Sequence, residues 1–181
     1  MKNRFIAAAL AVSAIILCGC AKDGSKTITG TYTYKTSGTV TLMATQLAGL
    51  DAATLAAYKA AGINTDPVMV ALYPEQGQMH VIGDGDGKVI ITFNDILGNA
   101  DVTAGTVNGS SLTLEEGHTK TAQLTDGEEK IGGGLVAVSG TGEKYEDMLI
   151  LDMEYKGTFS ISGTSMTVVA SDVHCVAQSN Q

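Results

Sequence analysis

A mainly β architecture, an antiparallel meander closed into a barrel or folded as a sandwich, is what the sequence predicts, and three observations predict it. Apolar and polar residues alternate along most runs, as where Leu149, Leu151, Met153 and Tyr155 interleave with Ile150, Asp152, Glu154 and Lys156. Successive side chains of a strand point to opposite faces, so this pattern is a strand with one wet side. Clusters of Gly, Asn, Asp and Ser separate the runs at short intervals, which is turn chemistry at turn spacing. Those intervals leave little room for the long crossovers that parallel strands require.

In chain order, the first segment stands apart from that domain. Lys2 and Arg4 flank the start of thirteen uncharged, mostly apolar residues from Phe5 to Leu17, the layout of an export signal. As a helix this run reaches about 20 Å, short of the roughly 30 Å hydrocarbon core of a bilayer, so removal is expected rather than permanent anchoring. The run ends in Leu17-Cys18-Gly19-Cys20, which resembles the lipobox of bacterial lipoproteins. The resemblance implies that residues 1–19 are cleaved and that Cys20 carries a diacylglyceryl group on its sulfur as the new N-terminus. Residues 20–26, small or charged, then read as a lipidated tether, and residues 27–181 as a single domain. Two or more acyl chains hold a protein stably at a membrane where one holds it only marginally. Ala21 directly after the cysteine resembles the pattern sent to the outer membrane, so a lipid-anchored position there is expected, on its periplasmic or its surface face.

Strand runs follow at Thr31–Tyr34, Thr39–Leu42, Val68–Tyr73, Met79–Ile82 and Val89–Phe93, then at Leu112–Leu114, Leu135–Val138, Leu149–Lys156, Phe159–Ile161 and Met166–Ala170. Threonine is frequent in them and suits a solvent-facing strand position. One segment breaks the pattern. Asp51–Ala61, "DAATLAAYKAA", is alanine-rich, opens on a capping Asp and is followed by Gly62, so a helix of about three turns is predicted. Leu55 and Tyr58 give it a narrow apolar stripe, with which it is expected to cover an open end of the β core.

Several motifs are weighed and set aside. In Gly83–Lys88, "GDGDGK", Asp84 and Asp86 have the first two spacings of a calcium loop, but Lys88 and Asp95 stand where further acidic ligands belong; a hairpin turn accounts for the stretch. His80, His118 and His174 are scattered, and a metal site needs convergent ligands. Phosphate-loop, zinc-protease and serine-elbow motifs do not occur. No metal, no cofactor and no catalytic residue is therefore predicted.

Composition excludes further classes. The chain has 11 basic and 19 acidic residues, for a formal charge of −8. Loss of residues 1–19 moves the charge to −10 over 162 residues and removes Arg4, the only arginine. A negative field with no guanidinium fork is poorly suited to nucleic acid or other phosphate-bearing partners. With Cys18 removed and Cys20 acylated, Cys175 has no partner for an internal disulfide.

Gly30-Thr31-Tyr32 entering the first strand, and the strand series from "KVIITFNDILGNADV" to "DMLILDMEYKGTFSISG", resemble the small Bacteroidetes lipoproteins with a calycin-like β-barrel, relatives in architecture of the lipocalins. In lipocalins the first strand carries G-x-W, with a basic residue, often arginine, packed on the tryptophan; here Tyr32 takes that place. The resemblance implies a non-catalytic, membrane-anchored protein that binds an apolar or amphipathic small molecule inside the barrel. Leu149, Leu151, Met153 and Tyr155 are the candidate ligand-binding face. The alternative is a structural or protein-interaction module of the cell envelope, in which the same side chains fill a solid core.

Overall fold

The computed structural model describes residues 28–180, and the signal segment, Cys20 and the tether lie outside them. Nine strands and one helix follow in order: β1 (Gly30–Ala44), α1 (Ala52–Ala60), β2 (Val68–Leu72), β3 (Glu75–Gly85), β4 (Lys88–Asp95), β5 (Ala100–Asn108), β6 (Ser111–Asp126), β7 (Glu129–Tyr145), β8 (Met148–Ile161) and β9 (Thr164–Ser179). All pairings are antiparallel. From β3 to β9 each strand pairs with the next, β1 pairs with β3, and β9 returns to β1, so hydrogen bonds run in a ring through eight strands. The β1–β9 ladder extends from Tyr32↔Ser179 to Ala44↔Met166 with one irregularity at Thr41/Leu42.

β2 is the strand outside this ring of eight. It lies on β1 between Thr39↔Ala71 and Leu42↔Val68, and on its other side reaches β6 at Ala71↔Thr125 and Leu72↔Leu124. One half of β1 therefore has β3 as its neighbour and the other half has β2. β1 changes neighbour near Gly38, where a Cβ would come within 2.2 Å of the Asp172 carbonyl oxygen on β9. Only glycine permits that approach.

Period-two alternation puts one face of every ring strand inside. Tyr32, Tyr34, Val40 and Leu42 of β1 meet Met79 and Val81 of β3, Val89 and Ile91 of β4, and Val173, Cys175 and Ala177 of β9 in one continuous buried cluster. Leu149, Leu151, Met153 and Tyr155 are all buried in it, while Asp152 and Glu154 between them are exposed. Tyr32 directs its hydroxyl to the Ile28 carbonyl at 2.6 Å, so its polar end is satisfied within the core.

The helix forms as its caps require: Asp51 accepts from the Thr54 N–H at 2.9 Å and from the Thr54 hydroxyl at 2.8 Å, and the Ala61 N–H closes on the Ala57 carbonyl at 3.0 Å. None of its residues is buried. It is a surface connection between β1 and β2, and the expectation that it covers an open end of the core is corrected: its alanine-rich faces bring too little apolar area to dock. The GDGDGK stretch is the β3–β4 hairpin, with Asp86 and Gly87 both at positive φ (49° and 74°) in the two-residue turn, the backbone a tight primed turn needs.

Leu151, fully buried in the centre of β8, gives a direct test of the packing. Leu151→Ala is expected to lower unfolding free energy by about 2–5 kcal/mol, and Leu151→Asp to prevent folding, as read by urea denaturation and circular dichroism. A variant with an aspartate at this position and unchanged stability would show that the residue does not face the ring interior.

Candidate functional site

The ladder of the ring is interrupted between β8 and β9 from Met153 to Thr158, and over a longer stretch between β5 and β6. β5 and β6 pair only from Gly105↔Leu114 to Asn108↔Ser111, after which β6 shifts register against β7 between Leu114 and His118 and departs from β5. Among the described residues no strand pairs with β5 from Ala100 to Ala104 on its β6 side, or with β6 from Glu115 to Ala122 on its β5 side. At the outer end of this gap, the β2–β3 connection at Tyr73–Pro74 and the β4–β5 loop at Ile96–Asn99 frame a cleft of about 740 Å³, which Ala100 and Asp101 of β5 and Thr121 of β6 also line. Gln76, Gln123 and Thr121 add amide and hydroxyl groups to its walls, and Lys130 holds its ammonium 4.4 Å from the centre of the Tyr73 ring.

Side chains, not backbone, bridge the wall here. Lys120 of β6 shares the inward face with buried Ala122 and Leu124, and its ammonium pairs with Glu75 of β3 and lies 3.7 Å from Asp101 of β5. The Lys120 side chain is 11% exposed. Burial pushes the Tyr34 hydroxyl well above its usual range; the Lys120 charge works against that rise and Glu75 adds to it. The Tyr155 hydroxyl is pushed up in the same way by burial, with further contributions from Glu75 and Asp101. The ion triad is thus seated at the boundary of the core.

Behind the triad, Phe93, Leu114, Val138 and Met153 border a space of about 20 Å³, room for a single water. Of the four side chains read as a ligand-binding face, Met153 alone touches that space, whereas Leu149, Leu151 and Tyr155 are packed among core neighbours. The structure therefore brings all four inside and uses them as filling. Sequence reading passed over the opening. Lys120, Glu75 and Asp101 lie far apart in the chain, and their only local signal is a lysine at an inward position of the β6 alternation.

Elsewhere, His174 and Cys175 point to opposite faces of β9, as alternation requires. Cys175 is buried, and that burial pushes its thiol up to about 11. His174 is on the outer surface between Asp152 (Nδ1 to Oδ1 2.6 Å) and Asp172 (Nε2 to Oδ1 3.0 Å). Among the described residues no three His, Cys, Asp or Glu side chains are placed to hold a metal ion, and no helix is long and apolar enough to cross a membrane. Comparison with protein-family models, curated proteins and solved structures finds no match to the chain.

Two expectations follow. Lys120→Met leaves the Glu75 and Asp101 carboxylates without their shared cation and should cost roughly 1–3 kcal/mol; a thermodynamic cycle with Glu75→Gln should return a coupling, and strict additivity would show that the pair contributes nothing. The hydrogen bond to Asp152 raises the His174 pKa, with Asp172 adding to the effect. A folded pKa above the unfolded value of about 6.5 makes this contribution complete below pH about 6.5 and lost as pH rises through the folded pKa. The melting temperature should accordingly decline slightly above neutrality in the wild type and lose that decline in His174→Gln, and a His174 ring titrating below 6.5 by NMR would contradict the assignment.

Proposed function

We propose that this chain is a non-catalytic lipoprotein of the bacterial cell envelope, held at the outer membrane by acylated Cys20, and that its domain is a calycin-like β-barrel serving as an interaction module. The observation that carries this reading is the contrast between a ring interior filled by large side chains, with about 20 Å³ of space behind the triad, and a cleft of about 740 Å³ in the outer wall. A recognition surface on the wall needs no hollow core, whereas a drug-sized apolar ligand needs several hundred Å³.

Support for the calycin-like assignment comes from the start of β1. Tyr32 follows Gly30 by two residues, and Lys144 at the end of β7 sets its ammonium 4.7 Å from the centre of the Tyr32 ring. This is a basic residue packed on the aromatic of the first strand, with tyrosine and lysine in place of tryptophan and arginine. Burial lowers the Lys144 pKa, in keeping with an ammonium drawn against the core.

The address is tested at Cys20. Cys20→Ala should accumulate as unprocessed precursor and lose incorporation of labelled palmitate, and persistent labelling would refute the anchor. The module reading is tested separately by native mass spectrometry of the chain from Ala21 onward. A filled interior predicts the apoprotein mass, and a retained small molecule would restore the apolar-ligand reading.

A further inference from the structure

In the cleft at the outer end of the β5–β6 gap, every charge on the walls is already matched within the molecule. Glu75 and Asp101 face the Lys120 ammonium. Asp95 accepts from the backbone N–H groups of Leu97 and Asn99, both at 2.8 Å, and from the Asn99 side-chain amide at 2.7 Å. Lys130 rests against the Tyr73 ring. An ionic ligand would have to displace one of these partners, and an anion would in addition meet three acids on the walls. What stays uncommitted is neutral: among the described residues the side-chain amides of Gln76 and Gln123 and the Thr121 hydroxyl have no hydrogen-bond partner. A purely apolar ligand would cover those groups and leave them unpaired. Beside them Ile96 and Leu97, 71% and 75% exposed, offer aliphatic surface.

An amide side chain carries a donor and an acceptor on neighbouring atoms, which suits a pair of adjacent hydroxyls, each of them donor and acceptor at once. A pyranose ring has such hydroxyls along its edge and C–H bonds across its faces. We infer that this cleft is a saccharide-binding site, which seats a short uncharged glycan by hydrogen bonds to Gln76, Gln123 and Thr121 and by contact of its C–H faces with Ile96 and Leu97. Its volume of about 740 Å³ falls in the range of about 300–1,000 Å³ that small-molecule sites occupy. The walls are set in advance: Asp95 holds the β4–β5 loop, whose Ile96 N–H donates to the Gln76 carbonyl at 3.1 Å, so binding has little left to order. The cleft also stands at the end of the ring away from the anchor. β1 enters at Gly30 opposite Val81, whereas the cleft begins at Glu75, opposite Thr36 about 20 Å further along. This site rests on the interaction-module reading, and names the ligand for it.

Maltotriose, cellotriose, mannotriose, galactotriose and chitotriose, all uncharged and differing in linkage and hydroxyl stereochemistry, are the probes. Each is titrated to about 10 mM, tenfold above a Kd of about 1 mM, into the chain from Ala21 onward, which retains every described residue, and followed by NMR. At least one is expected to bind saturably, shifting the side-chain amide signals of Gln76 and Gln123 and the backbone signals from Ile96 to Asp101. Gln76→Ala and Gln123→Ala change residues outside the buried core, so each should keep the fold by circular dichroism and lower the affinity at least fivefold. Spermidine and a blocked triglycine, as cationic and peptide probes, should bind more weakly than the best trisaccharide. Absence of saturable shifts with all five sugars would overturn the site, as would shifts confined to other strands, tighter binding of spermidine or triglycine, or unchanged affinity in both folded variants. Should a variant unfold, the shift map of the unaltered chain decides alone. Failure of the sugars beside an apoprotein mass in native mass spectrometry removes the saccharide and leaves the interaction module standing, whereas a retained apolar molecule strikes the module reading itself.

Discussion

Closure of the first strand on the last is the constraint from which the other features of this domain follow. The ladder from Tyr32↔Ser179 to Ala44↔Met166 joins segments about 140 residues apart in the chain, and with it every ring strand acquires an inside and an outside. Residues that would form one wet and one dry face in an open sheet then converge from all sides on the same interior. Large side chains at those positions, among them Tyr32, Phe159, Met79, Ile91 and Leu151, are fully buried. Filling the ring in this way leaves its stability to hydrophobic burial and packing, which are non-directional and tolerate no inward charge without a partner. Lys120 is the inward charge on β6, and it has two carboxylates.

A ring assembled from strands of unequal length has to accommodate the mismatch somewhere. β1 is long enough to need two neighbours in succession, β3 and then β2, and β6 likewise passes from β5 to β2. Between these two neighbours the β5-side edge of β6 is unpaired from Glu115 to Ala122, while β7 pairs its other edge from His118 onward, and an ion triad bridges the wall where that ladder is missing. Charged side chains at an unpaired edge also protect against uncontrolled association of one sheet with another.

The strand pattern was legible where one face is strongly apolar. Leu149 to Tyr155 identify β8, where large inward residues alternate with Asp152 and Glu154, and the apolar run Val89 to Phe93 identifies β4 by its β-branched and aromatic residues although Ile90 faces outward. β5 was not read as a strand: its inward positions are Asp101, Thr103 and Gly105, which carry no hydrophobic alternation and become visible only once the triad and the neighbouring strands surround them. Thr31–Tyr34 and Thr39–Leu42 were read as two strands and are one, since Gly38 looks like a turn in sequence and is a point of close strand approach in space. The helix was legible from Asp51 and its alanines, whereas its place at the surface depends on contacts no local pattern encodes. The candidate site was the least legible part, because an edge is defined by the neighbour it lacks.

That missing neighbour is the central claim, and backbone amide hydrogen exchange on the free protein tests it most directly. The account predicts an alternating record along β5, with Val102 and Ala104 exchanging rapidly and Asp101 and Thr103 protected through β4, together with rapid exchange at Thr119 and Thr121 of β6. Uniform strong protection along both segments would mean that β5 and β6 are hydrogen-bonded to each other throughout, and would contradict the opening on which the functional reading is built.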